Sequence, residues 1–141
     1  MSTADKQIPK PTELDLEFFQ SSRDAGALCI QQCQNCSDFH HPPRLYCPQC
    51  FSGDYVFPAV SGKGTVYSHT VSHFTTEKAW ADAVPYATIV VELDEGPRVV
   101  GSARGIDPAA LKIGLRVKVV TEAITEDFVY LWVEHGEEGA A

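Results

Sequence analysis

Basic residues are scarce in this chain. Its 141 residues carry 11 Lys and Arg against 19 Asp and Glu, a formal net charge of −8. Residues 1–50 hold 4 basic and 6 acidic side chains and the remainder 7 and 13, so both halves are acidic. Non-specific nucleic-acid affinity comes largely from Lys and Arg displacing counterions from phosphates, and this balance opposes it. Long apolar runs are also missing: none approaches the roughly 18 residues that a membrane-spanning helix needs. Residues 1–13 are polar, contain Pro9 and Pro11, and lack the apolar stretch of a secretory signal. Repeats and low-complexity tracts are absent. The five cysteines are an odd number with four in metal spacing. Reduced thiols in a reducing compartment follow, and a cytoplasmic chain is expected.

What the sequence does have is concentrated between Cys33 and Cys50. Cys33-Gln-Asn-Cys36 and Cys47-Pro-Gln-Cys50 are separated by ten residues. Two such pairs fold into tight knuckles that present four thiolates to one metal, zinc or iron. A shell of four sulfurs leaves no open position for a substrate, so zinc here is expected to be structural. The competing reading is a pair of reduced or redox-active dithiols. Pro42 and Pro43 restrict the connecting segment and argue against a helix. With strands expected over residues 27–32 and 51–58, the unit reads as a ribbon.

Around it the chain divides into a flexible lead-in (1–12), a helix and ribbon (13–58), a barrel (59–135) and a flexible tail (136–141). Thr12 followed by Glu13 and Asp15 marks a helix start, with a capping hydroxyl and carboxylates at the positive end of the dipole. Gly26 marks its stop. Leu14, Phe18 and Phe19 give an apolar stripe, for core packing or for docking on another subunit. Gly62-Lys63-Gly64 opens a series of β-rich segments at 65–74, 86–94, 98–104, 116–123 and 128–135. In the second, Ala87, Ile89, Val91 and Leu93 share one face. In the last, Val129, Leu131 and Val133 alternate with Phe128, Tyr130 and Trp132, so both faces are apolar; the strand is central or its aromatic face is covered. Asp107-Pro108-Ala109-Ala110-Leu111 reads as one helical turn with Asp107 as cap. Five short strands with a small helix before the fourth fit a partly open Greek-key barrel of the OB type, among other small barrels. The loop over residues 75–85 carries Trp80 and reads as a binding element.

Few residues suggest chemistry outside the cysteine cluster. Cys29 lies on an apolar stretch and reads as a small buried hydrophobe. His40 and His41 read as surface residues, since four thiolates already fill the metal shell. His69 and His73, four apart on an expected strand, would point to one face and read as polar residues of a partner-facing surface, with a second metal or acid–base role as the alternative. Arg44 is the only basic residue between Asp24 and Gly62. Its planar fork suits a phosphate or a partner carboxylate. No serine–histidine–aspartate set or phosphate loop assembles, so the chain alone is expected to catalyse nothing.

Phe18-Phe19, the two cysteine pairs, Pro42-Pro43-Arg44, Gly62-x-Gly64, Thr70-Val71, Pro85-Tyr86, Leu93-Asp94-Glu95-Gly96 and Ile113-Gly114 occur in an order that resembles the DUF35 family. Members of that family join a rubredoxin-like zinc ribbon to an OB fold and accompany acyl-CoA enzymes. The resemblance covers about residues 14–135. It implies a mainly β protein, with an N-terminal helix and four-cysteine zinc ribbon followed by a five-stranded OB-fold barrel. It further implies a thiolase-fold catalytic subunit as hetero-oligomeric partner and a CoA thioester as a ligand shared with it. Pro43, Arg44, His69, His73, Trp80 and Tyr86 are the candidate contacts to acyl-CoA or partner. Ser37 departs from the family pattern, which has glycine after the second cysteine to ease a positive-φ turn. Two other readings stand beside this one: a free-standing ribbon–OB module binding single-stranded nucleic acid, and a redox protein using its Cys-x-x-Cys pairs.

Overall fold

The structure, a computed structural model, describes residues 7–136. Of the expected lead-in, residues 7–12 carry no regular structure; residues 1–6 and tail residues 137–141 lie outside the described residues. Helix α1 (Glu13–Ala25) begins where the Thr12 hydroxyl accepts a hydrogen bond from the Asp15 N–H at 3.3 Å and donates to the Asp15 carboxylate at 2.8 Å. It ends at Gly26 in the left-handed region, with Gly26 N–H bonded to the Arg23 carbonyl and Ala27 N–H to that of Ser22. Those two bonds close the last turn and satisfy carbonyls that would otherwise be orphaned.

The helix buries Phe18 and Ser22. Phe18 lies within this chain's own core, and Phe19 packs on Phe128 with ring centroids 5.0 Å apart. The aromatic stripe is thus taken up in core packing, the first of the two readings the sequence offered. Burying a ring such as Phe18 stabilises by about 1.5–3 kcal/mol. Gln20 donates to the Asp127 carboxylate and Arg23 to the Glu126 carbonyl, tying the helix to a hairpin turn of the barrel.

The ribbon is a three-stranded antiparallel sheet in which β1 (Gln31–Cys33) lies between β2 (Phe39–His40) and β3 (Tyr55–Val56). Its strands are shorter than the sequence suggested. Pro58 has no N–H to give, so the stem below β1 and β3 keeps only single bonds, Ile30 N–H to the Pro58 carbonyl and Val60 N–H to that of Leu28. Strand β2, inside the segment between the knuckles, has no counterpart in the sequence reading.

The remaining strands are β4 (Lys63–Ser72), β5 (Tyr86–Leu93), β6 (Arg98–Ala103), β7 (Arg116–Thr125) and β8 (Phe128–His135). They form a barrel in the order β4-β5-β6-β8-β7. The barrel is closed rather than partly open: β7 returns to pair with β4, and β6 meets β8 in a short parallel contact through Ser102 and Ala103. A one-turn 3-10 helix, Pro108–Ala110, precedes β7, with the Asp107 carboxylate accepting from Ala109 N–H. Closure requires the backbones to approach closely at Gly62 and Gly64. A methyl on Gly62 would sit 2.5 Å from the Val119 carbonyl oxygen, and one on Gly64 2.4 Å from that of Glu92. Only glycine fits either place.

In β5 the alternation is complete, with Ala87, Ile89, Val91 and Leu93 buried. They join Val66, Val99, Val117, Val119 and Val133 in one core that also receives Phe18, Leu28 and Ile30. Helix and ribbon stem therefore pack on the barrel and present the knuckles at a fixed place beside it.

Candidate metal centre and adjoining groove

The two cysteine pairs fold as near copies of one another. Ser37 N–H bonds to the Cys33 carbonyl at 3.0 Å, and Phe51 N–H to the Cys47 carbonyl at 2.8 Å. Each of these residues follows the second cysteine of its pair, and each has positive φ, 65° at Ser37 and 64° at Phe51. The turns aim backbone N–H groups at sulfur: Asn35 and Cys36 at Cys33 Sγ, and Gln49 at Cys47 Sγ, between 3.3 and 3.5 Å. As a result all four sulfurs lie within 4.8 Å of one another. Cys33 and Cys50 are 3.6 Å apart, and Cys36 and Cys47 3.5 Å.

Zinc–sulfur bonds of about 2.3 Å in a tetrahedron imply sulfur–sulfur edges of about 3.8 Å, so the cluster fits a zinc ion. Without a cation the four sulfurs do not ionise together. The Asn35 side-chain hydrogen bond, with one from the Ser52 backbone, draws Cys50 down to about 6. Cys36 is pushed up to about 12: a backbone hydrogen bond from Asp38 favours its thiolate, but desolvation and the neighbouring sulfurs outweigh it. Four thiolates this close need a cation among them. Cys33, Cys36, Cys47 and Cys50 would hold zinc, which there supplies cross-linking of the ribbon.

The segment between the knuckles is fixed by a residue that sequence reasoning missed. Gln31, buried on β1, accepts from Arg44 N–H at 2.7 Å and donates to the Arg44 carbonyl at 2.8 Å. One amide thus replaces the two bonds of a strand pair. Nothing in a lone glutamine signals this; only its place on an apolar stretch sets it apart. The Arg44 side chain is exposed. The guanidiniums of Arg23, Arg98, Arg104 and Arg116 each pair with a carboxylate, whereas that of Arg44 has no partner among the described residues.

His40 and His41 are not surface residues. His40 is 8% exposed beside the cysteine cluster, with Nδ1 3.7 Å from Asp38 Oδ2. His41 packs on Phe18 with centroids 5.0 Å apart, and burial draws it down to about 4 against the pull of Asp15. It is therefore neutral at pH 7. Pairing of His40 in β2 with Gln31 turns this segment inward, which the flanking prolines concealed.

His41, Pro42 and Pro43 form one wall of a groove of about 580 Å³. Phe18 and Phe19 of α1 form another wall, and Val100, Gly101, Phe128 and Tyr130 of the barrel the floor. A smaller pocket of about 150 Å³ on the other side of Tyr130 is lined by Trp80, Tyr86 and Trp132. The hydrogen bond of 2.8 Å between the Tyr130 and Ser102 hydroxyls separates the two. The aromatic face of β8 is thus covered on one side by α1, and bordered on the other by the loop carrying Trp80, whose ring lies 5.1 Å from that of Tyr86.

The six candidate contact residues do not converge. Pro43 lines the large groove, Trp80 and Tyr86 the smaller pocket, and Arg44 lies on the ribbon. His69 is half-buried on β4, but β4 ends at Ser72, so His73 falls beyond it and the alternation expected to align the two imidazoles lapses. Cys29 is buried as expected, and desolvation raises its thiol above the ordinary value. No helix among the described residues is long and apolar enough to cross a membrane.

Two family models match the chain. The rubredoxin-like zinc ribbon domain of ChsH2 matches residues 21–56, and the C-terminal OB-fold domain of ChsH2 residues 58–122. A DUF35 domain-containing scaffold protein of Methanocaldococcus jannaschii is 34% identical over 97 residues, 68% of each chain. A probable enoyl-CoA hydratase alpha subunit of Thermomonospora curvata is 36% identical over 110 residues, 77% of this chain. The chain spans about a third, 34%, of that relative's length. Among solved structures, one named Ltp2-ChsH2(DUF35) aldolase superposes with a TM-score of 0.80 at 30% identity, covering 91% of this chain and 98% of that one.

Proposed function

The chain belongs to the DUF35 family of ribbon–OB scaffold proteins, and from that premise we propose that it is a zinc-stabilised, non-catalytic accessory subunit of an acyl-CoA enzyme. Its partner is a catalytic subunit of the thiolase fold (an acyltransferase, thiolase or aldolase), joined in a hetero-oligomer in the cytoplasm. The observation that carries this reading is the agreement, over nearly the whole of both chains, with a DUF35 chain named as part of an aldolase. The hydratase subunit relative supports the same acyl-CoA setting.

The chemistry of the surface agrees. The metal shell is closed by four sulfurs, and the groove beside it is largely apolar, with the neutral His41 among its polar groups. Such a groove suits the pantetheine arm of a CoA thioester or an apolar element of the partner. Pro43 in its wall and Tyr86 with Trp80 across Tyr130 are the contact positions it favours. His69 and His73 would serve as polar contacts on the barrel's outer side. We retain the division into helix and ribbon (13–58) and barrel (59–135), although the stem carries its last bond to Val60, just past that boundary. The nucleic-acid reading is opposed by charge: residues 59–135 carry 7 basic against 10 acidic side chains, and Arg98, Arg104 and Arg116 are each held by a carboxylate.

The test is co-expression with thiolase-fold acyl-CoA enzymes of the same organism, followed by size-exclusion chromatography. A single peak containing the chain and one such enzyme is expected. Separate elution, together with single-stranded DNA binding that survives physiological salt, would replace this reading with the nucleic-acid one.

A further inference from the structure

The ribbon displays large apolar side chains that do nothing for its own core. Leu45 is 64% exposed, Tyr46 65% and Phe51 78%. Leu45 and Tyr46 run into Cys47, whose carbonyl accepts from the Phe51 N–H at 2.8 Å, so all three lie on one knuckle. Arg44, the one unpaired guanidinium among the described residues, borders the patch on a backbone clamped by Gln31.

Phe51 is the most telling of these. Its φ of 64° is one that glycine adopts freely and a bulky L-residue adopts at a cost. Its ring then faces water. The knuckle turn sets that backbone, as it does at Ser37; the exposed ring, which the turn does not require, is what points to a role beyond the chain.

We propose that this tip, Phe51 with Leu45 and Tyr46 around Arg44, is the anchor by which the chain docks on its catalytic subunit, Phe51 entering an apolar pocket rimmed by carboxylate. The proposal rests on the accessory-subunit reading and names the surface that performs it. Aromatic side chains and arginine, held rigid and surrounded by apolar neighbours, are the residue types that dominate protein–protein binding energy. The ribbon's one cation is accompanied by Asp38 and Asp54, so residues 27–58 are net acidic and do not suit a polyanionic headgroup, nucleic acid or anionic lipid. A two-fold contact between copies would set the net-acidic ribbon against itself, which disfavours a second copy as occupant. What remains is a protein surface offering a carboxylate to a guanidinium.

The experiment titrates the full, zinc-loaded chain against the purified thiolase-fold enzyme that co-elutes with it on co-expression, by isothermal calorimetry. Phe51→Gly is the decisive variant, because glycine accepts the observed backbone while removing the ring. It should weaken binding by about thirtyfold or more, the effect of losing a hot spot, with zinc content intact and the thermal midpoint unchanged or raised. Arg44→Glu should weaken it at least about tenfold. If wild type binds and Phe51→Gly binds within twofold of it, the tip is not the anchor, though the accessory-subunit reading stands. If Phe51→Gly loses zinc or melts lower, Phe51 is a structural residue and the proposal fails. Failure of the wild-type chain to bind would sink both. Self-association of the wild-type chain alone in sedimentation, abolished by Phe51→Gly, would overturn the proposal in favour of a second copy.

Discussion

Replacing Gln31 with leucine should loosen the ribbon more than a single amide suggests. The Gln31 side chain makes two hydrogen bonds, of 2.7 and 2.8 Å, to the backbone of Arg44. Each contributes about 1 kcal/mol net, and leaving the Arg44 N–H and carbonyl unpaired adds a desolvation cost of about 1–3 kcal/mol for whichever stays dry. Leucine fills similar space, so a large cavity is not formed. The expected loss is about 2–4 kcal/mol, equivalent to a fall in Tm of about 10 °C for a chain of this size. Because the clamp lies between the two knuckles, the loss should also appear as faster zinc release to a colourimetric chelator. Differential scanning calorimetry and chelator kinetics on the same samples measure both. If Gln31→Leu released zinc at the wild-type rate and melted within 1–2 °C of wild type (about 0.5 kcal/mol), the clamp would have no energetic role and the account of a rigid Arg44 would be wrong.

Removing the metal itself should unfold β1–β3, since zinc-finger peptides bind zinc with about 10–16 kcal/mol, comparable to the whole stability of a small domain; circular dichroism before and after chelation reads this, and an unchanged spectrum would refute a structural zinc. Gly64→Ala should destabilise by more than about 3 kcal/mol in urea titration, because its methyl would meet the Glu92 carbonyl at 2.4 Å and Val91 at 2.8 Å, and neither strand can yield without opening the barrel. His41 binds a proton in the unfolded chain near its ordinary value of 6.5 but in the folded one only near 4. Its contribution is therefore present above about pH 6.5 and lost as pH falls toward 4, by about 3 kcal/mol if fully expressed. The slope of stability against pH in that window should flatten in His41→Phe, and equal slopes in the two proteins would contradict it.

How much of this could be read from the sequence depends on how local the signal was. The Thr12 cap, the Gly26 stop, the alternation of β5 and the cysteine pairs are set by neighbours a few residues apart, and each appears where its pattern placed it. The helix–ribbon–barrel order and the family followed from these and from motif order. Departures occur where distant residues decide. His40 and His41 turn inward because β2 pairs with β1 and because Phe18 arrives from the helix. Strand β4 begins two residues earlier than expected and ends at Ser72, as its register against β5 and β7 dictates. The Gln31 clamp and the groove exist only once ribbon, helix and barrel meet, so no window of sequence contains them.

The most direct measurement is acyl-CoA turnover by a thiolase-fold enzyme that co-elutes with this chain, with and without an equimolar amount of the chain. The enzyme should be weakly active or unstable alone and restored by the zinc-loaded chain, while the chain alone turns over nothing. Full activity of the enzyme without the chain, unchanged on its addition, would contradict the accessory-subunit reading.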